Sequence, residues 1–567
     1  MAASALARNP LFDGVPAAAL DGASSSLARR TFAPGDVICR AGDPGDTLFV
    51  IVDGLARVLG ADGDVVARLR RSDVIGEMSL VSGEPRSATV IAAVPTSVLE
   101  LGRDDFAGLI AVHPQILSNL NRILTRRLAE TTARIAEPSS RGEAVVLLVG
   151  EAGARVVPQV VEATEAASPG RVATLDVRAA PEPALAALDD QLARHRTVLL
   201  PAAIGQELLR PVLQSADRTV ALVESNGEVE RVAACLGPGE RAEVVVLEEA
   251  GGSQAAAGPL TPVVRVLELE PSGALPGRDA GWLGRHISRT KLGLALGAGG
   301  AKGYAHVGVL YALEEAGYTV DAVAGSSIGA IVGCWLALGM SAAEVDSTMR
   351  YGFRPEVVAD TFKLSFGGQS TGLQTMADML RETTQGRTFA DAVIPLVVMT
   401  VGLDSRAPEP IVSGPLWEAL LAATALAGLF PPYERDGARL VDGLALVPVP
   451  TDAVIEAGAD VTVSVDIIGG EVAPAWPGEA PPAEEKAKGP RARMLDTILE
   501  VMDLAQLDSS RRHAARADVA LSPRFGPSTW RDFPLADLFL EAGREAAREH
   551  LPALAALAKP QLSRVPT

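Results

Sequence analysis

Residues 319–335 read Thr-Val-Asp-Ala-Val-Ala-Gly-Ser-Ser-Ile-Gly-Ala-Ile-Val-Gly-Cys-Trp. The pattern predicts a short buried strand, a tight turn and then a helix. Gly325 and Gly329 stand two residues either side of Ser327, so the elbow G-x-S-x-G centres on Ser327 and not on Ser326. A residue held in such a strained turn leaves no room for side chains beside it, which accounts for the glycines. The following helix would aim its first amides at any negative charge that forms at the serine. By itself the pattern fits an ordinary strand-to-helix turn equally well.

The wider segment Ala322–Met340 is uncharged over about the length that spans a bilayer. Its Gly-Ser-Ser-Ile-Gly core breaks it into strand and helix, so it is not read as a transmembrane helix.

Upstream, Lys291 to Leu310 reads Lys-Leu-Gly-Leu-Ala-Leu-Gly-Ala-Gly-Gly-Ala-Lys-Gly-Tyr-Ala-His-Val-Gly-Val-Leu, again strand, glycine loop and helix. Gly303 follows Lys302 where a Walker loop needs Ser or Thr. Lys302 also falls where a dinucleotide fingerprint needs its third glycine. What remains is a run of approachable backbone amides beside a cation, which suits an oxyanion hole. Downstream, Leu440-Val-Asp442-Gly443-Leu444 ends an apolar run in Asp-Gly, a pair that alone marks only a turn.

Taken in order, the glycine loop, the serine elbow and the Asp-Gly resemble the patatin-like phospholipase family over Lys291 to Pro450. The resemblance implies acyl transfer by a Ser-Asp dyad without histidine or catalytic cofactor. Ser327 would be the nucleophile and Asp442 the base, with Gly299, Gly300 and Ala301 supplying oxyanion amides and Lys302 a positive field. Two positions depart from the family: Ala298 replaces a loop glycine, and Leu444 stands where Gly or Ala is usual and is expected to narrow the pocket. His306 is the rival base. It lies inside the helix after the loop, where similar sequences carry a histidine without a catalytic part, and is read as structural.

Residues 74–90 read Val-Ile-Gly-Glu-Met-Ser-Leu-Val-Ser-Gly-Glu-Pro-Arg-Ser-Ala-Thr-Val. A buried cyclic phosphate needs an arginine fork and backbone amides, and a ribose hydroxyl needs a carboxylate. The segment resembles the phosphate cassette of cyclic-nucleotide-binding domains, which implies Arg86 on the phosphate and Glu77 on the ribose. Gly76, Met78 and Ser87 would complete the cradle. Serine at 87, where cGMP binders usually carry threonine, favours cAMP as a regulatory ligand.

The turn-punctuated apolar runs of residues 10–105 predict a β jelly-roll or barrel, followed by helical spacing from Asp104. Four parts are expected: a nucleotide-binding domain over 10–137, an α/β spacer of open role over 143–250, the α/β patatin-like hydrolase domain over 281–468, and a helical extension over 493–567 packed on it. Residues 469–492, rich in Pro, Gly and Glu, read as a mobile loop. The whole order resembles bacterial relatives of neuropathy target esterase, without the membrane anchor of the animal forms.

Composition limits the partners. A net charge of −19 with no basic block opposes nucleic-acid binding and any purely electrostatic hold on an anionic bilayer. Three separated cysteines offer neither a disulfide framework nor a metal cluster. Met1–Asp13 does not read as a secretory signal. The expectation is a cytoplasmic enzyme acting on lipid or lysophospholipid, touching the inner membrane surface transiently, with its oligomeric state open. The rival readings are a nucleotide-binding scaffold with an inactive hydrolase domain and a lipid transacylase.

Overall fold

The computed structural model describes residues 10–12, 15–16, 28–33, 35–59, 65–70, 73–77, 79, 85–93, 96–113, 115–116, 119, 142–206, 209–237, 240–248, 260–361, 371–426, 429–468, 501, 504–526 and 528–559. The expected loop at 469–492 lies outside them, as does most of the helical stretch beyond residue 113. The chain folds into two compact units, Met1–Glu162 with Gly170–Ala280, and Ala163–Pro169 with Gly281–Thr567.

The first unit opens with β1 (Ala28–Phe32), β2 (Val37–Cys39), β3 (Thr47–Asp53), β4 (Leu55–Leu59), β5 (Val65–Arg70), β6 (Val74–Ile75), β7 (Thr89–Ala92) and β8 (Thr96–Gly102). They form two four-stranded antiparallel sheets, ordered β1-β8-β3-β6 and β2-β7-β4-β5. Alternation along β3 shows why these faces pack. Phe49 and Ile51 point between the sheets with Ile38, Val90 and Val98. Leu48 and Val50 point outward, under Leu11, Phe12, Phe106 and Leu109.

Five strands alternate with helices next: β9 (Glu143–Val149), β10 (Val172–Thr174), β11 (Thr197–Ala203), β12 (Arg218–Val223) and β13 (Glu243–Glu248). The edge strand β14 (Val263–Glu268) follows. All six are parallel, in the order β10-β11-β9-β12-β13-β14. The sheet therefore runs past the limit at 250 expected from sequence. Within this unit Arg57 of β4, which is buried, pairs with Glu240 at 2.7 Å and so links the barrel to the sheet.

A parallel sheet of this kind offers ligands a crevice where its strand order reverses, here between β9 and β12. Its own carboxylates fill that place. Glu224 accepts the Ala152 amide at the start of the helix Glu151–Ala167. Glu228 accepts the Glu224 amide at 2.9 Å, and its carboxylate lies against Gly150 where a Cβ would overlap it.

The second unit is built on β15 (Leu292–Leu296), β16 (Val320–Ser326), β17 (Leu396–Gly402), β18 (Ala407–Ile411), β19 (Tyr433–Arg435), β20 (Ala438–Asp442), β21 (Val461–Val465) and β22 (Val519–Leu521). Its path runs β19-β20-β17-β16-β15-β21-β22, with β18 beside β17. Every residue of β15, β17 and β21 is buried, as in a sheet covered on both faces. The stretch after 493 is not purely helical, since it also supplies β22.

The helix Ala536–Leu557 crosses Tyr304–Glu315, the helix behind the glycine loop. They meet at glycines. A Cβ on Gly308 would fall 1.9 Å from the Leu540 carbonyl oxygen, and one on Gly543 would fall 2.0 Å from that of Ala305. Backbone cannot yield as a flexible side chain does, so a methyl here forces the helices apart. Gly308→Ala should lower the stability of this unit by about 1–3 kcal/mol, the scale of overpacking. Thermal unfolding checks it, and an unchanged midpoint would mean the crossing is loose.

Candidate functional site

β15 and β16 are parallel neighbours, so the loop Gly297–Gly303 and the turn at Ser327 leave the sheet at the same end. Ser327 has φ 53 and ψ −123, a conformation that costs a non-glycine residue on the order of 1–3 kcal/mol. The turn is so close that a Cβ on Gly325 would lie 2.3 Å from the Gly329 oxygen, and one on Gly329 would lie 2.2 Å from the Leu296 oxygen. Ser326 faces the other way. Its hydroxyl donates to the Val447 carbonyl at 2.6 Å.

Strand register brings in the aspartate. β16 leaves β17 at Ser326 opposite Met399, and β20 meets β17 one row further, Asp442 opposite Thr400. Ser327 and Asp442 therefore share a row. Gly443 packs against this step, since a Cβ there would fall 2.9 Å from the Ser326 hydroxyl.

Asp442 is 3% exposed. Its Oδ1 accepts the Leu444 amide at 2.9 Å, while Oδ2 is buried with no partner in hydrogen-bonding geometry. Burial pushes the carboxyl up to about 6. The Leu444 amide and the Ser327 hydroxyl pull it back. Ser327 is thus the hydroxyl facing the carboxylate, at a looser geometry than a formed hydrogen bond. An aspartate so placed can accept the serine proton. Leu444, expected to narrow the pocket, lines it and also orients the carboxylate through its amide.

The glycine loop corrects part of the expected oxyanion hole. The Ala301 amide is spent on the Trp530 carbonyl at 2.7 Å, so it cannot hold an oxyanion. The Lys302 amide turns back to the Gly299 carbonyl, and its ammonium sits over the Phe525 ring, 5.5 Å from the centroid. Gly297 and Ala298 donate to Val465 and Pro448. Gly299 and Gly300, the latter at φ +58, remain and line the cavity with Ser327.

His306 is wholly buried, and its Nε2 lies 2.8 Å from the Gly297 carbonyl. Burial pushes it down to about 4, so it is neutral at ordinary pH and donates that hydrogen bond. It anchors the glycine loop and is engaged away from Ser327.

The cavity has an empty volume of about 730 Å³, its mouth included. Its walls are apolar, among them Phe353, Met376, Leu429 and Phe430, and the serine-aspartate pair supplies the polar end. Trp530 and Phe533 also line it. Sequence reading missed both, since they lie far down the chain in a stretch whose only signal was its aromatic content.

In the first unit, Arg86 reaches Gly76 (φ +85), while Met78 of the expected cradle lies outside the described residues. Glu77 and Arg86 are buried and Ser87 is exposed. The Arg86 fork bonds inward, to the Gly76 carbonyl at 3.1 Å, the Thr47 carbonyl at 2.6 Å and the Thr47 hydroxyl at 2.9 Å.

Residues 294–455 match the family model of patatin-like phospholipase, and residues 29–113 match that of the cyclic nucleotide-binding domain. The chain carries both domains. An uncharacterized NTE family protein of Mycobacterium tuberculosis is 25% identical over 589 residues, covering 97% of each chain. Lysophospholipase nte1 of Aspergillus fumigatus is 33% identical over 195 residues, which is 33% of this chain and 12% of that one. A solved cyclic nucleotide-binding domain from Methylobacillus flagellatus is 27% identical over 24% of this chain and 82% of that one, at a TM-score of 0.22. The patatin-like domain is a lipid hydrolase. Among the described residues no helix is long and apolar enough to cross a membrane, and Ala322–Met340 divides between β16 and the helix Ile328–Ala337.

Raising Asp442 from 3.8 to about 6 costs the folded protein about 3 kcal/mol once the group is charged. The cost is absent below about pH 4, where the carboxyl is neutral folded or unfolded, and grows as pH rises through about 6. Asp442→Asn, neutral throughout, should therefore be more stable than the parent at pH 7 and no more stable near pH 4. Unfolding at the two pH values reads this, and identical differences at both would refute the desolvation.

Proposed function

We propose that this chain is a serine esterase cleaving the acyl ester of a lysophospholipid or related glycerolipid through a Ser327–Asp442 dyad. Its rate would be set in part by a cyclic nucleotide, cAMP by preference, in the N-terminal barrel. One observation carries the reading: a strained serine lining an apolar cavity faces a buried carboxylate whose Oδ2 has no other partner. The relative named lysophospholipase supports the substrate class. Contact with the lipid surface would be transient.

In the first half-reaction the Ser327 oxygen attacks the ester carbonyl and its proton passes to Asp442 Oδ2. The amides of Gly299 and Gly300, with the first turn of the helix Ile328–Ala337, hold the negative oxygen of the tetrahedral intermediate. Collapse expels the glycerol oxygen, which takes the proton from Asp442, leaving an acyl-serine. Water then gives its proton to the same carboxylate, attacks the acyl carbon and releases the fatty acid, and the proton returns to Ser327. One carboxylate thus serves as base and acid in turn. It must be ionised for the first step, and the cavity keeps the acyl chain and not bulk water beside it.

With Asp442 at about 6, kcat/KM should be flat above pH 7 and fall about tenfold per pH unit well below 6. A pH profile on a soluble ester, with Ser327→Ala as the inactive control, checks both points. Activity in Ser327→Ala equal to the parent's would remove the nucleophile, and a chain that neither hydrolyses esters nor reacts with a fluorophosphonate would be the inactive scaffold.

For the barrel, Arg86→Ala should weaken cAMP binding by at least about 2 kcal/mol, the scale for deleting one partner of a charged hydrogen-bonded pair. Calorimetry on the parent and the variant measures it. Equal affinities would mean that the phosphate is held elsewhere.

A further inference from the structure

The family match ends at residue 455, yet the cavity is closed by residues well beyond it. The turn Thr529–Phe533 sits directly on the glycine loop. A Cβ on Gly300, whose φ of +58 already disfavours a side chain, would lie 2.5 Å from the Trp530 carbonyl oxygen and 3.0 Å from its Cβ, so Trp530 fills the space that glycine leaves. The Trp530 carbonyl takes the Ala301 amide. Asp532 clips the turn, accepting the amide and the hydroxyl of Thr529 at 2.6 and 3.0 Å.

Side chains complete the collar. Arg531 lies over the Trp530 ring, 4.5 Å from its centroid. Phe533 stacks on Phe353, with centroids 5.1 Å apart, and both line the cavity with Trp530. Behind them Phe525 meets Phe539 edge-on at 5.4 Å. The turn is thus pinned from several sides and presents two large apolar faces where an acyl chain must lie.

We propose that Trp530, with Phe533, is the specificity-determining wall of the acyl cavity, a C-terminal collar that selects long apolar chains while its backbone holds the glycine loop in place. The proposal rests on the esterase reading but separates from it. A truncated side chain at 530 keeps its carbonyl, and with it the Ala301 contact, so the reaction centre stays intact while the wall retreats. Loss of apolar contact then falls on substrates long enough to reach it. Removing single methylene contacts from a binding pocket already changes discrimination by about tenfold or more.

The test uses the full chain with p-nitrophenyl butyrate and p-nitrophenyl palmitate. Trp530→Ala should cut kcat/KM for palmitate at least about tenfold, mainly through KM, and leave butyrate within about threefold. Phe533→Leu should act in the same direction more weakly, and Trp530→Phe should restore most of the loss. A matching fall on both esters carried by kcat would make the collar a support for the glycine loop only and overturn the proposal, as would no change on either.

A second arm needs no hydrolysis. In Ser327→Ala protein, adding Trp530→Ala should weaken binding of a fluorescent long-chain fatty acid by a similar factor. Unchanged binding there rejects the wall. Weakened binding in a chain whose parent hydrolyses nothing would reject the esterase reading and keep the wall.

Discussion

The second unit depends on one strained residue. Ser327 is held at φ 53 and ψ −123 because β16 must turn straight into a helix with its hydroxyl outermost. That turn closes only if the strand before it, the helix after it and the end of β15 approach at backbone contact, and Gly325 and Gly329 permit this. The strain is offset by burial around it, where Val323, Ile328, Ile331 and Val332 belong to one continuous core.

Around the turn, desolvation decides the roles of the titratable groups. Asp442 and His306 are both buried, and burial drives each toward its neutral form. The outcomes differ because their partners differ. Asp442 keeps an amide and a hydroxyl that favour its charge and ends near 6, within reach of ionisation at neutral pH. His306 donates to the Gly297 carbonyl, has nothing anionic beside it and stays neutral. Of the two, only Asp442 can carry a charge beside Ser327 near neutral pH.

In the first unit the same economy of charge appears in the barrel and in the parallel sheet. Arg86 satisfies part of its fork on the Gly76 and Thr47 carbonyls, so the buried cation is held in place by backbone oxygens. The middle sheet, whose order reversal would suit a phosphate, has carboxylates of its own at that point. It meets the barrel at the Arg57–Glu240 pair.

Taken singly the local signals were weak, since the elbow around Ser327 and the Asp-Gly at 442 each fit an ordinary turn, and only their order along the chain made them legible. Each is nevertheless written within a few residues, because a strained turn admits few side chains. The alternation of β3 and the buried runs of β15 and β16 likewise follow from sequence pattern. Long-range packing decided the rest. Nothing near Ala301 tells that its amide is taken by Trp530, nor does Lys302 announce that its ammonium will rest on Phe525. The pairing of Arg57 with Glu240 and the collar of Trp530 and Phe533 join segments far apart in the chain. Such contacts are fixed when the sheets and helices close on one another, and a sequence read by short-range periodicity carries no record of which surfaces will meet.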